Sequence, residues 1–419
     1  MSTPNNLFSI VESSQKHRKK NPLLLGIMSL LCVSFFVFGG AATASTTCTV
    51  VPGKRVILYY RSQASNASNY YNHFDFSKVT DLIFSKILPN AGNKSLYSYK
   101  IRSKDRNCKV TSRTVFHPDT FKSFIKKAKE ANPCLRIHVS IGSAKSDKFG
   151  GIAVKANAFA NSLLSFYDKF KVSAKINGQT KDVFIDGFHF DWEGELSSTQ
   201  QDQYKKLLET TKIKFKRQRK KDIIVSIAAP GRMEYLKYHK DDLHKAFDFA
   251  VVMTYGGIDP KVRNRLSLHY SKTVMKAYTD KGWPISKLAL GSQTFAQEQG
   301  SFTTTNCETG KKVTKAYQTV SYWHILKEGK VKTERDAIFN AELASTKKAY
   351  SRKKVGNRTF LYHAKNSVIE RVKYICGEKG YGVAVFRAAH DTFGSGKHSK
   401  WASYNLQKEY YSAINQHCK

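Results

Sequence analysis

Acidic residues are scarce in this chain: 32 Asp plus Glu stand against 70 Lys plus Arg, a formal net charge of +38 in 419 residues. A field of that sign favours anionic partners such as acidic glycans, a charged matrix or a membrane surface, and it says nothing about fold. The basic residues are spread along the whole chain, as on a solvated surface, so no specific nucleic-acid partner is expected. Proline (nine) and glycine (25) are too few for a collagen-like or low-complexity chain. Disorder is excluded by a 41% hydrophobic, 12% aromatic composition. There is no Cys-x-x-Cys or His-rich spacing to suggest zinc, and no internal repeat. Long apolar runs are almost absent.

The one membrane-length run, Leu23–Ala44, follows a polar leader (1–22) that carries Lys16-His17-Arg18-Lys19-Lys20. Ala42-Thr43-Ala44 has the small-x-small pattern of a secretory cleavage site, while the long basic leader equally suits a signal-anchor helix. Both alternatives place the later residues in the lumen or outside, giving either a secreted protein or a type II membrane-anchored one. Cys32 lies in the apolar run. The other six cysteines (48, 108, 134, 307, 376 and 418) form an even set compatible with up to three disulfides of open pairing. Sequons at Asn66, Asn93 and Asn357 fit the same secretory route.

After residue 50, short β-branched runs alternate with amphipathic stretches, the pattern of parallel strands joined by crossover helices. Eight strands are expected: Val56–Tyr60, Asp81–Ser85, Arg136–Ile141, Val183–Phe190, Ile223–Ala228, Phe249–Tyr255, Lys287–Ser292 and Gly382–Arg387. Among the helices, Asp119 is read as the cap of one whose apolar face is Phe121, Phe124, Ile125 and Ala128. Another spans Ser367–Lys379 and stops at Gly380. Eight such units predict an α/β fold, a (β/α)8 TIM barrel over residues 50–419, with functional groups at the carboxyl ends of the strands. The long gap between strands seven and eight predicts a small inserted α+β lobe over the barrel mouth, residues 295–364, with strand-like Ala316–Trp323 and Thr359–Tyr362.

The chemically informative stretch is Asp186-Gly187-Phe188-His189-Phe190-Asp191-Trp192-Glu193. A strand has period two, so His189, Asp191 and Glu193 share one face and Phe188, Phe190 and Trp192 the other. In a barrel the aromatics pack on the helices and the polar set points into the mouth. Two carboxylates and an imidazole confined there cost several kcal/mol unless paired or functional, so this face is read as functional.

This stretch resembles the DxxDxDxE signature of glycoside hydrolase family 18, the chitinases and chitinase-like lectins. The resemblance extends over most of residues 54–415. Val56-Ile57-Leu58-Tyr59-Tyr60 is similar to the family's first strand, Ser140-Ile141-Gly142-Ser143 to its SxGG and Met253-Thr254-Tyr255-Gly256 to its MxYD. Lys287–Gly291 resembles the seventh strand. Phe360-Leu361-Tyr362, the following helix and Gly382–Phe386 resemble the return from the inserted lobe into strand eight. The resemblance implies that Glu193 is the general acid and base, that Asp191 and Tyr255 orient the substrate's own attacking acetamido group, and that neither metal nor organic cofactor takes part. It implies chitin or N-acetylglucosamine oligosaccharides as partners, with His189, Met253 and Phe386 in the sugar site. Tyr59, Tyr60, Trp323 and Trp401 are candidate sugar platforms, with core packing the alternative for each.

The pattern departs from the family at four places. His189 replaces the middle Asp of the signature, either as a cation paired with Asp191 or as a neutral hydrogen-bonded filler. Gly256 and Ser143 replace the Asp of MxYD and the second Gly of SxGG, Phe386 stands where the family has Trp, and Gly194-Glu195 follows the acid in place of Tyr-Pro. Retention of Glu193, Asp191 and Tyr255 together points to an enzyme; a sugar-binding protein of the same fold and a cationic adhesion protein are the alternatives.

Overall fold

A computed structural model of the chain describes residues 54–61, 74–92, 96–104, 108–114, 116–143, 146–255, 266–305, 310–321, 342–343, 351–355, 357–363, 365–386 and 406–418. Eight parallel strands close on themselves: β1 (Arg55–Arg61), β2 (Asp81–Pro89), β3 (Arg136–Ser143), β4 (Gly187–Trp192), β5 (Ile224–Ala229), β6 (Phe249–Val252), β7 (Leu288–Gln293) and β8 (Gly382–Phe386). Each pairs with the next, and β1 closes the ring by pairing with both β2 and β8. The fold is a (β/α)8 TIM barrel.

Strand periodicity decides which side chains meet inside. Ile57, Tyr59, Ile83, Phe249, Val251, Ala289 and Ala384 fill the barrel interior as one apolar cluster. The alternate residues face outward into a larger shell beneath the helices, where Phe188 lies against Phe166 and Phe215. Helix α1 (Pro118–Ala131) buries Phe121, Phe124, Ile125 and Ala128 in that shell. Its N-cap is His117 with Pro118 in the first turn, so Asp119 is a first-turn acid and not the cap.

The fourth strand is shorter than expected. Val183 belongs to a surface hairpin, Val172–Ile176 with Gln179–Val183, turned by Asn177 and Gly178, both at positive φ. The barrel strand starts at Gly187, where any side chain would meet the His138 ring and, at 2.6 Å, the Ile224 carbonyl. Asp186 ties the chain down just before it, accepting from the backbone N–H of Ile137 at 2.8 Å and from the Lys129 ammonium at 2.8 Å.

Between β7 and β8, residues 295–362 contribute a five-stranded antiparallel sheet, in the order Lys312–Ser321, Phe295–Thr305, Arg358–Tyr362, Ser351–Val355 and Glu342–Leu343. Its strand Phe295–Thr305 begins two residues after β7 ends, which attaches the sheet at the barrel's carboxyl end. Helix α2 (Lys365–Gly377) then leads into β8. A disulfide, Cys376–Cys418, fastens the carboxyl-terminal helix α3 (Leu406–His417) to α2. Cys108 and Cys134 are also disulfide-bonded. Asn357 is exposed. Among the described residues no helix is long and apolar enough to cross a membrane. The leader, the Leu23–Ala44 run, Asn66, Asn93, Trp323 and Trp401 lie outside the described residues.

The lower end of the barrel is plugged by charge. Asp81, fully buried on β2, meets Arg136 and His138 of β3 and Arg55 of β1; His138 Nε2 is 2.9 Å away and Arg55 3.4 Å. Burial alone would raise the Asp81 carboxyl. The hydrogen bond from His138 and the charges of Arg136 and Arg55 overcome this and hold it well below the usual carboxylate range. Its stabilising contribution is therefore present above the unfolded-state value and fades as pH falls through the folded one. Asp81→Asn leaves the arginines uncompensated and should cost about 3–5 kcal/mol in urea unfolding at neutral pH; an unchanged midpoint would contradict this role.

Candidate active site

The upper interior layer is built around β4. His189 stands opposite Ser140 of β3 and Ser226 of β5, and one step up Asp191 stands opposite Gly142. On the other face Trp192 stacks on Phe149 at 5.1 Å and packs edge-on against Tyr204 at 5.2 Å. Tyr204 also donates to the Phe190 carbonyl at 3.1 Å. The aromatic half of the strand thus clamps it to the helices and fixes where its polar half points. Gly194, at φ 120°, turns the chain directly after Glu193, a conformation open to glycine. A capping box between Ser197 and Gln200 then starts the helix Ser198–Arg219 between β4 and β5.

His189 is the neutral filler and not the cation. It is fully buried, with the Tyr59 hydroxyl 2.8 Å from Nε2 and the Ser226 hydroxyl 3.0 Å from Nδ1, so one ring nitrogen donates and the other accepts. Burial, with a smaller push from His138, lowers its pKa to about 3. The imidazole has no exposed surface and lies below Asp191 in the barrel interior.

Asp191 and Glu193 form a coupled pair. Burial raises the Asp191 carboxyl, opposed by the Lys86 ammonium. Glu193 opens to solvent at the mouth yet is otherwise surrounded by protein. The Asp191 carboxylate first, and then burial, push it up to about 7, against the pull of Lys86 and Arg232. The pair therefore retains a proton near neutrality.

The phenols of Tyr59 and Tyr255 close the layer, each raised well above the ordinary tyrosine value by burial and by the charges of Asp191 and Glu193. Both remain O–H donors at any ordinary pH. Phe386 lies parallel to Tyr255 at 5.4 Å and edge-on to Tyr59 at 5.5 Å, so the three rings make a continuous aromatic floor. Tyr255 is set by support from below. Arg371 of α2, fully buried, donates to the Gly291 carbonyl at 2.7 Å and to Thr254 Oγ1 at 3.3 Å, fixing the residue before it. Met253 is held by its backbone N–H on the Ala229 carbonyl at 2.9 Å and is partly exposed.

The structure thus brings Tyr59, His189, Asp191, Glu193, Tyr255 and Phe386 to one end of the barrel. Tyr60 is elsewhere: it packs on Phe84 and Phe124 in the outer shell and is core, not a sugar platform. Trp323 and Gly256 fall outside the described residues. Two cations were missed, Lys86 and Arg232. The signal for Lys86 is a lysine directly after the expected second strand, followed by the apolar pair Ile87-Leu88.

A family model described as Glycosyl hydrolases family 18 matches residues 55–391, and the chain belongs to that family. Among solved structures it is similar to a plant class V chitinase mutant from Cycas revoluta in complex with (GlcNAc)3, with 15% identity, a TM-score of 0.63, and coverage of 86% of this chain and 99% of that one. It is also similar to an immunomodulatory active chitinase from Trichuris suis (17% identity, TM-score 0.61, 87% and 100% covered) and to a chitinase-like agglutinin from Robinia pseudoacacia (16%, 0.59, 86% and 99%). No curated protein sequence matches. At these identities the likeness establishes the fold, and both enzymes and a lectin share it.

A neutral His189 has a spectroscopic consequence. Its ring nitrogens should show no titration between pH 5 and pH 8 in long-range proton–nitrogen NMR spectra, and a midpoint above pH 6 would mean that the imidazole is a cation beside Asp191.

Proposed function

We propose that the protein is a glycoside hydrolase acting on β-1,4-linked N-acetylglucosamine polymers, chitin or its oligosaccharides, by substrate-assisted retaining hydrolysis. One observation carries this reading: a carboxyl held protonated near neutrality by an adjacent carboxylate, on one strand face, above an aromatic floor. Glu193 donates its proton to the glycosidic oxygen as the C1–O bond breaks. The substrate's acetamido carbonyl oxygen attacks C1 at the same time, so no second protein carboxylate is needed as nucleophile, an exception to the usual two-carboxylate scheme. Asp191 accepts the acetamido N–H and stabilises the positive charge that develops on the cyclised group, while the Tyr255 hydroxyl donates to the carbonyl oxygen and orients it. Water then opens the ring, with Glu193 taking back the proton.

A binding-only reading is favoured by Phe386, which offers a pyranose less area than an indole and no N–H. Export of the barrel, by cleavage after the Leu23–Ala44 run or by anchoring through it, belongs to the proposal, as does attraction of the basic surface to an anionic matrix.

Release of a fluorophore from chitotriose conjugates should fall by about two to four orders of magnitude in Glu193→Gln, with oligosaccharide binding retained. Wild-type turnover should decline as pH rises through about 7, because the acid must be protonated. Binding without turnover in the wild type would establish the lectin instead.

A further inference from the structure

Lys86 is not among the residues that the sequence pattern selects, and its position follows from an irregularity. The β2–β3 register shifts between Ser85 and Ile87, which interrupts the in-out alternation of β2 at its carboxyl end. Ser140 and Ile141 of β3 flank this point, and Gly142, paired on its other side with Asp191, is the next residue along. A Cβ on Gly142 would lie 2.9 Å from Asp191 Oδ2, 2.9 Å from Lys86 Cδ and 3.1 Å from Lys86 Nζ. The glycine therefore leaves open the space into which the lysine stem and the carboxylate both reach, and their charged ends converge there. Glu193 is two residues further along its strand, about 6.6 Å in backbone rise.

The other groups facing Asp191 supply no cation. Tyr59 from β1 and Tyr255 just after β6 are neutral phenols, as is Tyr204 behind the strand, His189 below is a neutral imidazole, and Glu193 above is an acid. Arg232, beyond β5, acts on Glu193, and Lys86 acts on Glu193 as well as on Asp191, whose Oδ2 shares the space beside Gly142 with the lysine ammonium. Among the described residues, Lys86 is the positive charge that opposes burial at Asp191.

We propose that Lys86 is a positioning residue that decides which of the two carboxyls carries the shared proton, holding Asp191 ionised and leaving the proton on Glu193. This rests on the hydrolase reading. An ionised Asp191 is the form that accepts the acetamido N–H, and a protonated Glu193 is the form that donates to the leaving oxygen. Without Lys86, a proton on the buried Asp191 would disable both roles together. The charge balance of Asp191 is thus supplied from β2, across the space at Gly142, while its own strand neighbour His189 stays neutral.

The test compares wild type, Lys86→Gln and Lys86→Arg, each checked for folding by thermal melting, over pH 4 to 8 with a fluorogenic chitotriose conjugate. Loss of the cation raises the Asp191 titration, so the acid limb of the rate profile should move up by about one pH unit in Lys86→Gln. Below that limb kcat should fall about tenfold with little change in KM, and Lys86→Arg should restore the limb. An unshifted profile in a folded Lys86→Gln, or a shift that Lys86→Arg fails to reverse, would overturn the proposal. If the wild type binds chitotriose without turnover, the hydrolase reading fails separately. Carbon-13 titration of the Asp191 carboxyl then decides the role of Lys86: an upward shift in Lys86→Gln supports it, and no shift overturns it. Should Lys86→Gln not fold, Lys86→Met, which keeps the apolar stem, takes its place with the same expected shift.

Discussion

Asp191 on β4 and Glu193 directly after that strand lie in the mouth of a closed barrel, where the charge of Asp191 raises the Glu193 carboxyl to about 7. The surrounding arrangement at the upper end of the barrel makes sense as the means of holding that pair in place. The aromatic face of β4 is clamped between Phe149 and Tyr204, so the polar face has one direction available. Tyr59 and Ser226 occupy both nitrogens of His189, and burial keeps the ring neutral. Repulsion from Asp191, with a smaller contribution from partial burial, then keeps a proton available on Glu193.

Much of this was legible in the sequence because strand periodicity is local. The alternation of Phe188, Phe190 and Trp192 with His189, Asp191 and Glu193 states which side chains go inward, and eight β-branched runs state how many strands surround them. The parts that were not legible depend on partners distant in sequence. The charge state of His189 is decided by its complete burial among neighbouring strands, so the residue itself was compatible with either reading. Val183 looks like the start of β4 by composition; the Asn177-Gly178 turn gives it to a surface hairpin instead. Lys86 was missed because a register irregularity, which has no composition of its own, turns a lysine toward an acid on another strand.

The two ends of the barrel treat buried charge differently. At the lower end Asp81 is surrounded by Arg55, Arg136 and His138 and is held ionised, an arrangement that fixes structure. At the upper end Asp191 raises Glu193 to about 7 despite the nearby Lys86 and Arg232, an arrangement suited to proton transfer. The same fold thus carries a carboxylate held ionised by cations at one end and a carboxyl raised by a neighbouring acid at the other. The Arg371 contacts to Gly291 and Thr254 tie the ends of β6 and β7 to α2, so the position of Tyr255 depends on the chain that returns from the inserted sheet.

The central claim is that Glu193 holds its proton near neutrality because Asp191 lies beside it. Site-resolved carbon-13 NMR titration of the Glu193 carboxyl tests it most directly. A midpoint near 7, falling in Asp191→Asn, is the expected result; a midpoint in the ordinary glutamate range, unaffected by Asp191→Asn, would contradict it.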